Sequence, residues 1–119
     1  MTIFALSSDP GQSGVAVIRI SGSETGNIIK LITKSDLPAP RKAKLLKINN
    51  INNSSLIDEG IVLWFPAPNS YTGEDMAELH VHGSRGVITE IQNNLLNTKK
   101  CRMAEAGEFT KIAFVNGKI

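Results

Sequence analysis

The chain has 119 residues, 41% hydrophobic and 20% charged, which fits one domain with a modest core spanning residues 1–119. Its 13 basic and 11 acidic residues leave a net charge of +2, too mild a bias to recruit nucleic acid by charge alone. A single cysteine, Cys101, excludes an internal disulfide and fits a reducing compartment.

Ile3 to Leu6 reads as a short strand, and Ser7 to Gly14 as a loop rich in Ser, Gly and Pro. Val15 to Ile20 is β-branched and almost continuously apolar, which predicts a strand buried on both faces. A helix follows from about Glu24 to Thr33, with Ser23 as its N-cap and Ile28, Ile29 and Ile32 as its apolar face. Leu37 to Pro40 is a linker. Ala43 to Ile48 and Ile57 to Phe65 are strands joined by the polar turn Asn49 to Ser55, a hairpin by its chemistry. The cations Arg41, Lys42, Lys44 and Lys47 mark a solvated edge strand rather than a phosphate track.

After the loop Pro66 to Gly73 comes a strand from Met76 to Val81. Gly83 to Gly86 leads into a helix from about Val87 to Asn97, whose apolar face is Val87, Ile88, Ile91 and Leu95. Cys101 to Ala104 is a last short strand. A final helix begins at Gly107-Glu108 and stops at Asn116-Gly117, with Gly117 suited to the left-handed C′ position. Strands and helices mix without strict alternation, so the fold class is α+β with a mixed sheet. Lys118-Ile119 follow the helix stop with no polar tail, as expected of a fragment cut at a domain edge. The apolar runs are far shorter than the roughly 20 residues that span a membrane, and the N-terminus has no signal-peptide pattern. A soluble, cytoplasmic protein is expected.

Glu78, His80 and His82 recur at spacing two, so on a strand they share a face. Three uses are open. The first is metal ligation by His-x-His with Glu78 as a third ligand. In the second, the acceptor-only, two-pronged Glu78 carboxylate receives paired N–H donors from a heterocycle such as an amino-pyrimidinone. The third is an ordinary hydrogen-bonded strand face. Arg19 interrupts an apolar strand, and an unpaired buried charge is costly, so Arg19 is either paired or faces a ligand. The loop Pro10-Gly11-Gln12-Ser13-Gly14 could bring backbone N–H groups to that ligand. Cys101 lies among Lys99, Lys100 and Arg102, which would lower its pKa unless it is simply an incidental thiol at a strand start. Lys118 alone reads as a solvated cation. The chain has no P-loop, nucleophile elbow or Cys-x-x-Cys.

Four segments in order carry a resemblance: Thr2-Ile3-Phe4-Ala5, Ser13 to Gly22, Leu63 to Gly83, and Gly107-Glu108-Phe109-Thr110 with Ala113 to Lys118. On these the chain resembles the N-terminal domain of the tRNA-modification GTPases of the MnmE/TrmE family, with no motif in Thr33 to Ser55. The resemblance implies a tetrahydrofolate-binding domain, similar in fold to the folate domains of aminomethyltransferases, that takes a 5-formyl or 5,10-methylene derivative. The family's ligand contacts fall on Arg19, Glu78 and Lys118, and none of them is catalytic. Glu78 would meet the pterin amino edge, and Arg19 and Lys118 the glutamyl tail or polar pterin oxygens.

It also implies a homodimer through this domain, which suits the thin core. In the whole protein, GTP hydrolysis aided by potassium and magnesium would serve modification of the tRNA wobble uridine, with the FAD-dependent partner MnmG/GidA. The family's helical and GTPase domains and its C-terminal cysteine motif are not in these 119 residues, so the fragment is expected to bind folate and dimerise without hydrolysing GTP. Two departures stand out. Ala106 replaces the usual Pro before Gly107, loosening a turn, and Ser84-Arg85 replaces Gly-Pro, placing a cation near the expected site. The competing expectations are a metal-dependent enzyme domain using Glu78, His80 and His82, and a dimerisation scaffold without a working folate site.

Overall fold

Alternation along the strands gives this chain a sheet with one face packed under two helices and one left partly open. The structure, a computed structural model, describes residues 1–8 and 14–119. Pro10 to Ser13 of the glycine-rich loop fall outside the described residues. The elements are β1 (Thr2–Leu6), β2 (Val15–Ser21), α1 (Thr25–Thr33), β3 (Lys44–Asn49), β4 (Leu56–Phe65), β5 (Met76–His82), α2 (Arg85–Asn97), β6 (Cys101–Met103) and α3 (Glu108–Val115). The six strands form one sheet in the order β3-β4-β5-β2-β1-β6. β6 runs parallel to β1 and the other neighbours are antiparallel. This is the mixed α+β sheet that the sequence predicts.

Register sets the core. Ile18 of β2 pairs Leu79 of β5, which pairs Val62 of β4; in the next row Phe4, Ile20, Ala77 and Trp64 line up. Cross-strand partners share a face. These residues are buried with Ile28, Ile29 and Ile32 of α1 and Ile88, Ile91 and Leu95 of α2. Each fully buried aliphatic side chain contributes about 1.5–3 kcal/mol relative to exposure.

β2 is not buried on both faces, contrary to its apolar run. Its burial alternates, with Ala16, Ile18 and Ile20 inside and Val15 and Arg19 exposed. The reason is that α1 and α2 pack on one face only. On the other face, the 66–75 loop and α3 cover one end, where Ile3, Ser21, Thr72 and Met76 are buried apart from the main core. That loop is tied down by bonds from Ser21 Oγ to Glu74 (2.9 Å) and from Asn116 Nδ2 to the Thr72 carbonyl (2.8 Å).

Local chemistry explains the ends. Ser23 does not cap α1; Thr2 Oγ1, on the neighbouring β1, accepts the Glu24 N–H at 2.9 Å instead. Ser84 Oγ accepts the Val87 N–H, so α2 starts at Arg85, earlier than its apolar pattern indicates. Gly117 takes φ 72° after α3, with its N–H on the Phe114 carbonyl and the Lys118 N–H on the Ala113 carbonyl. This is the paired C-terminal closure that favours glycine. β3 is an edge strand with Lys44 and Lys47 exposed, as expected. The β3–β4 turn is anchored to α2 by buried Asn94, which accepts the Ile51 N–H and donates to the Asn49 carbonyl, both at 2.9 Å. Cys101 is buried, and burial pushes its thiol up rather than down. Its basic neighbours face elsewhere, Lys100 toward Glu24 and Arg102 toward Glu108.

Candidate functional site

Arg19 and Glu78 are register partners on β2 and β5, on the face the helices leave open. Arg19 Nε donates to Glu78 Oε2 at 3.0 Å. The Arg19 side chain is 46% exposed and that of Glu78 18%. Thus the cation in the apolar strand is paired and also reaches solvent. On the other side of Glu78, His80 Nε2 lies 2.8 Å from Oε1. Burial alone would raise the Glu78 pKa, but the hydrogen bonds from His80 and Arg19 outweigh it and hold the carboxyl below its ordinary value. An ionised carboxylate only accepts, so His80 carries its proton on Nε2.

Glu78 and Arg19 open into a cleft of about 400 Å³ lined also by Phe65, Tyr71 and Met76. This is within the roughly 300–1,000 Å³ range of small-molecule sites. Phe65 reaches the cleft because it pairs Met76 across β4 and β5 and so shares the Glu78 face. Tyr71 comes from the 66–75 loop, and its hydroxyl is 3.1 Å from Thr110 Oγ1 of α3. Two aromatic walls, an oriented carboxylate and a guanidinium suit a flat heterocycle with N–H donors along one edge.

Lys118 does not line this cleft. Its Nζ donates to the Pro68 carbonyl at 3.0 Å, and its methylenes lie beside Gly73. It grips the loop that carries Tyr71. His82 also leaves the group: its N–H and Nδ1 both engage Asp58 of β4, at 2.9 and 2.8 Å. The Asp58 carboxyl is pushed up by burial but, on balance, held low by these bonds. Glu78, His80 and His82 share a face but do not converge. Among the described residues no three His, Cys, Asp or Glu side chains are grouped to hold a metal, so the structure does not build the metal site that the spacing allowed. Arg85 lies outside the cleft, on the first turn of α2. Ser84 caps that helix.

Sequence reasoning missed Phe65, Tyr71 and Met76. Parity with Glu78 identifies Met76, two residues earlier on the same strand. Phe65 needs the β4–β5 register, and Tyr71 needs the path of a loop.

A family model described as GTP-binding protein TrmE N-terminus matches residues 2–118. The tRNA modification GTPase MnmE of Pelagibacter ubique is 60% identical over 119 residues, covering 100% of this chain and 27% of that protein. The MnmE of Agrobacterium fabrum is 51% identical over 118 residues, covering 99% and 26%. The mitochondrial 5-taurinomethyluridine-[tRNA] synthase subunit GTPB3 of Danio rerio is 48% identical over 118 residues, covering 99% and 23%. The chain thus spans about a quarter of the length of these relatives. No helix among the described residues is long and apolar enough to cross a membrane.

Proposed function

The chain belongs to the TrmE N-terminal family, and we propose that it is the tetrahydrofolate-binding and dimerisation module of a cytoplasmic tRNA-modifying GTPase. The observation that carries the folate proposal is the ionised Glu78 carboxylate facing a cleft walled by Phe65 and Tyr71. The aminopyrimidinone part of a folate is flat and presents an amino group beside a ring N–H, a donor pair that a carboxylate receives with both oxygens. Phe65 and Tyr71 would flank the ring. Among the described residues Arg19 bonds through Nε alone, which leaves its terminal nitrogens for an oxygen of the ligand. Lys118 would leave the Pro68 carbonyl to meet the anionic tail. Together these groups would hold the cofactor. The one-carbon unit of a 5-formyl or 5,10-methylene derivative is the chemistry that the cofactor brings.

Calorimetric titration with 5-formyltetrahydrofolate tests this. Saturable binding by the parent, weakened about 10- to 100-fold in folded Arg19→Ala and Glu78→Ala variants, is expected. Equal affinity in Glu78→Ala would remove the carboxylate from the site.

Dimerisation is proposed for the remainder of the open face, where among the described residues no helix covers the sheet and Leu45 is 59% exposed. Sedimentation equilibrium checks it; a monomer at all concentrations contradicts it. The names of the relatives support a place in a GTPase that acts on tRNA. GTP, potassium and magnesium would then be held outside these residues, which contain no P-loop. Wobble-uridine modification would involve MnmG/GidA and the whole protein.

A further inference from the structure

We propose that His80 is a positioning residue of this site, acting through Glu78 to fix where the two carboxylate oxygens point. The inference rests on the folate proposal for its ligand, though not for its geometry. Glu78 is clamped from both sides: Arg19 Nε is 3.0 Å from Oε2 and His80 Nε2 is 2.8 Å from Oε1. A carboxylate has about four acceptor positions, two per oxygen. The two clamping bonds use one on each oxygen and leave one on each. A ligand with two adjacent N–H donors finds both without displacing either clamp.

His80 does not line the cleft; it stands on the next outward position of β5, behind Glu78. Its ring is held by position. Val17 and Ile61 are its register partners on the two flanking strands, so its opposite neighbours are apolar and its polar partner is Glu78. Among the described residues the charged groups around it are few. Glu78 and His82 flank it on β5, and Arg19 is diagonal on β2. Glu59 of β4 lines a shallow hollow with His80 and His82. His82 is occupied by Asp58. Without His80, Glu78 would keep Arg19 but lose the second donor, so its carboxylate would swing about one bond and protonate at a higher pH.

Two measurements on the 119-residue chain decide this. The first needs no ligand: the Glu78 carboxyl carbon is followed by NMR as pH falls, in the parent, His80→Ala and His80→Gln. Gln places an amide nitrogen where the Nε2–H stands. Glu78 should titrate at higher pH in His80→Ala and return toward the parent in His80→Gln. The second is the affinity for 5-formyltetrahydrofolate across pH 5 to 8. His80→Ala should bind about tenfold more weakly, with the loss growing toward acid, and His80→Gln should recover most of it. An unchanged Glu78 titration in His80→Ala overturns the proposal. So does a Gln variant as weak as Ala. Should the parent not bind the folate at all, the folate proposal falls and the Glu78 titration alone still decides the role of His80.

Discussion

Ile18 and Arg19 are neighbours in the chain and opposites in the fold. Ile18 points into the helix-covered face, fully buried in a row with Leu79 and Val62. Arg19 points to the other side, where it meets Glu78 at the mouth of a cleft. The covered face is built of apolar side chains whose energy comes from area removed from water. The open face carries Arg19, Glu78, His80 and His82, groups whose energies depend on partners, pH and solvent. On this proposal, one sheet separates stability from recognition by the pleat alone, one residue apart.

The contrast is broken most sharply by substituting the two neighbours. Ile18→Ala should cost about 2–5 kcal/mol of stability, because it leaves a cavity between sheet and helix. Arg19→Ala should cost under about 1 kcal/mol, since the Arg19 side chain is 46% exposed, while weakening folate binding about 10- to 100-fold. Denaturant unfolding beside calorimetry reads both. A large stability loss in Arg19→Ala would mean that the open face carries the fold as well.

Gly60 tests the seam between the faces. A Cβ there would lie 2.4 Å from the His80 carbonyl oxygen. Gly60→Ala should therefore push β4 from β5, cost about 1–3 kcal/mol, and weaken folate binding through the displaced His80 and Glu78. Thermal melts and the same titration check it. Asn94→Ala probes the polar exception on the covered side. It leaves the Ile51 N–H and the Asn49 carbonyl without their partner, and about 1–3 kcal/mol of destabilisation is expected in urea unfolding.

The smallest effect is pH dependence, and it should come from the open side and the sheet end. Glu108 is held at about 2, first by its bond from Arg102, against an ordinary 4.5; Glu78 and Asp58 are lowered too. A lowered folded-state pKa means that the stabilisation is complete above the unfolded value and is lost as pH falls through the folded one. Stability should thus decline below about pH 4.5, with the Glu108 share gone near 2. In urea unfolding at stepped pH, Glu108→Gln should flatten that decline. The buried polar residues Thr2, Ser21, Thr25, Thr33, Thr72, Asn94 and Thr98 do not titrate in this range, so an equally steep decline in the variant would place the acid sensitivity elsewhere.

Periodicity made the covered face legible. The spacing of Ile28, Ile29 and Ile32 and of Ile88, Ile91 and Leu95 identifies both helix faces, and every strand was expected close to its observed bounds. The open face was legible only where its chemistry is conspicuous, as at Glu78 and Arg19. The strand Val15 to Ile20 misled because a run of apolar residues looks the same whether one face or two are covered. Tertiary layering decides that, and no local pattern records it. Phe65 and Tyr71 were hidden for a related reason, since an aromatic near a strand end or in a loop reads as packing until the register places it beside Glu78. The Arg102–Glu108 fork, at 2.9 and 2.6 Å, was invisible because it joins a strand to a helix across a turn.

The most direct test of the division between faces is a residue-resolved NMR titration of the chain with 5-formyltetrahydrofolate. The account predicts that shift changes gather on Arg19, Phe65, Tyr71, Met76, Glu78 and His80, while Ile28, Ile32, Ile91 and Leu95 stay still. Changes centred on the helices, or no saturable change anywhere, would contradict it.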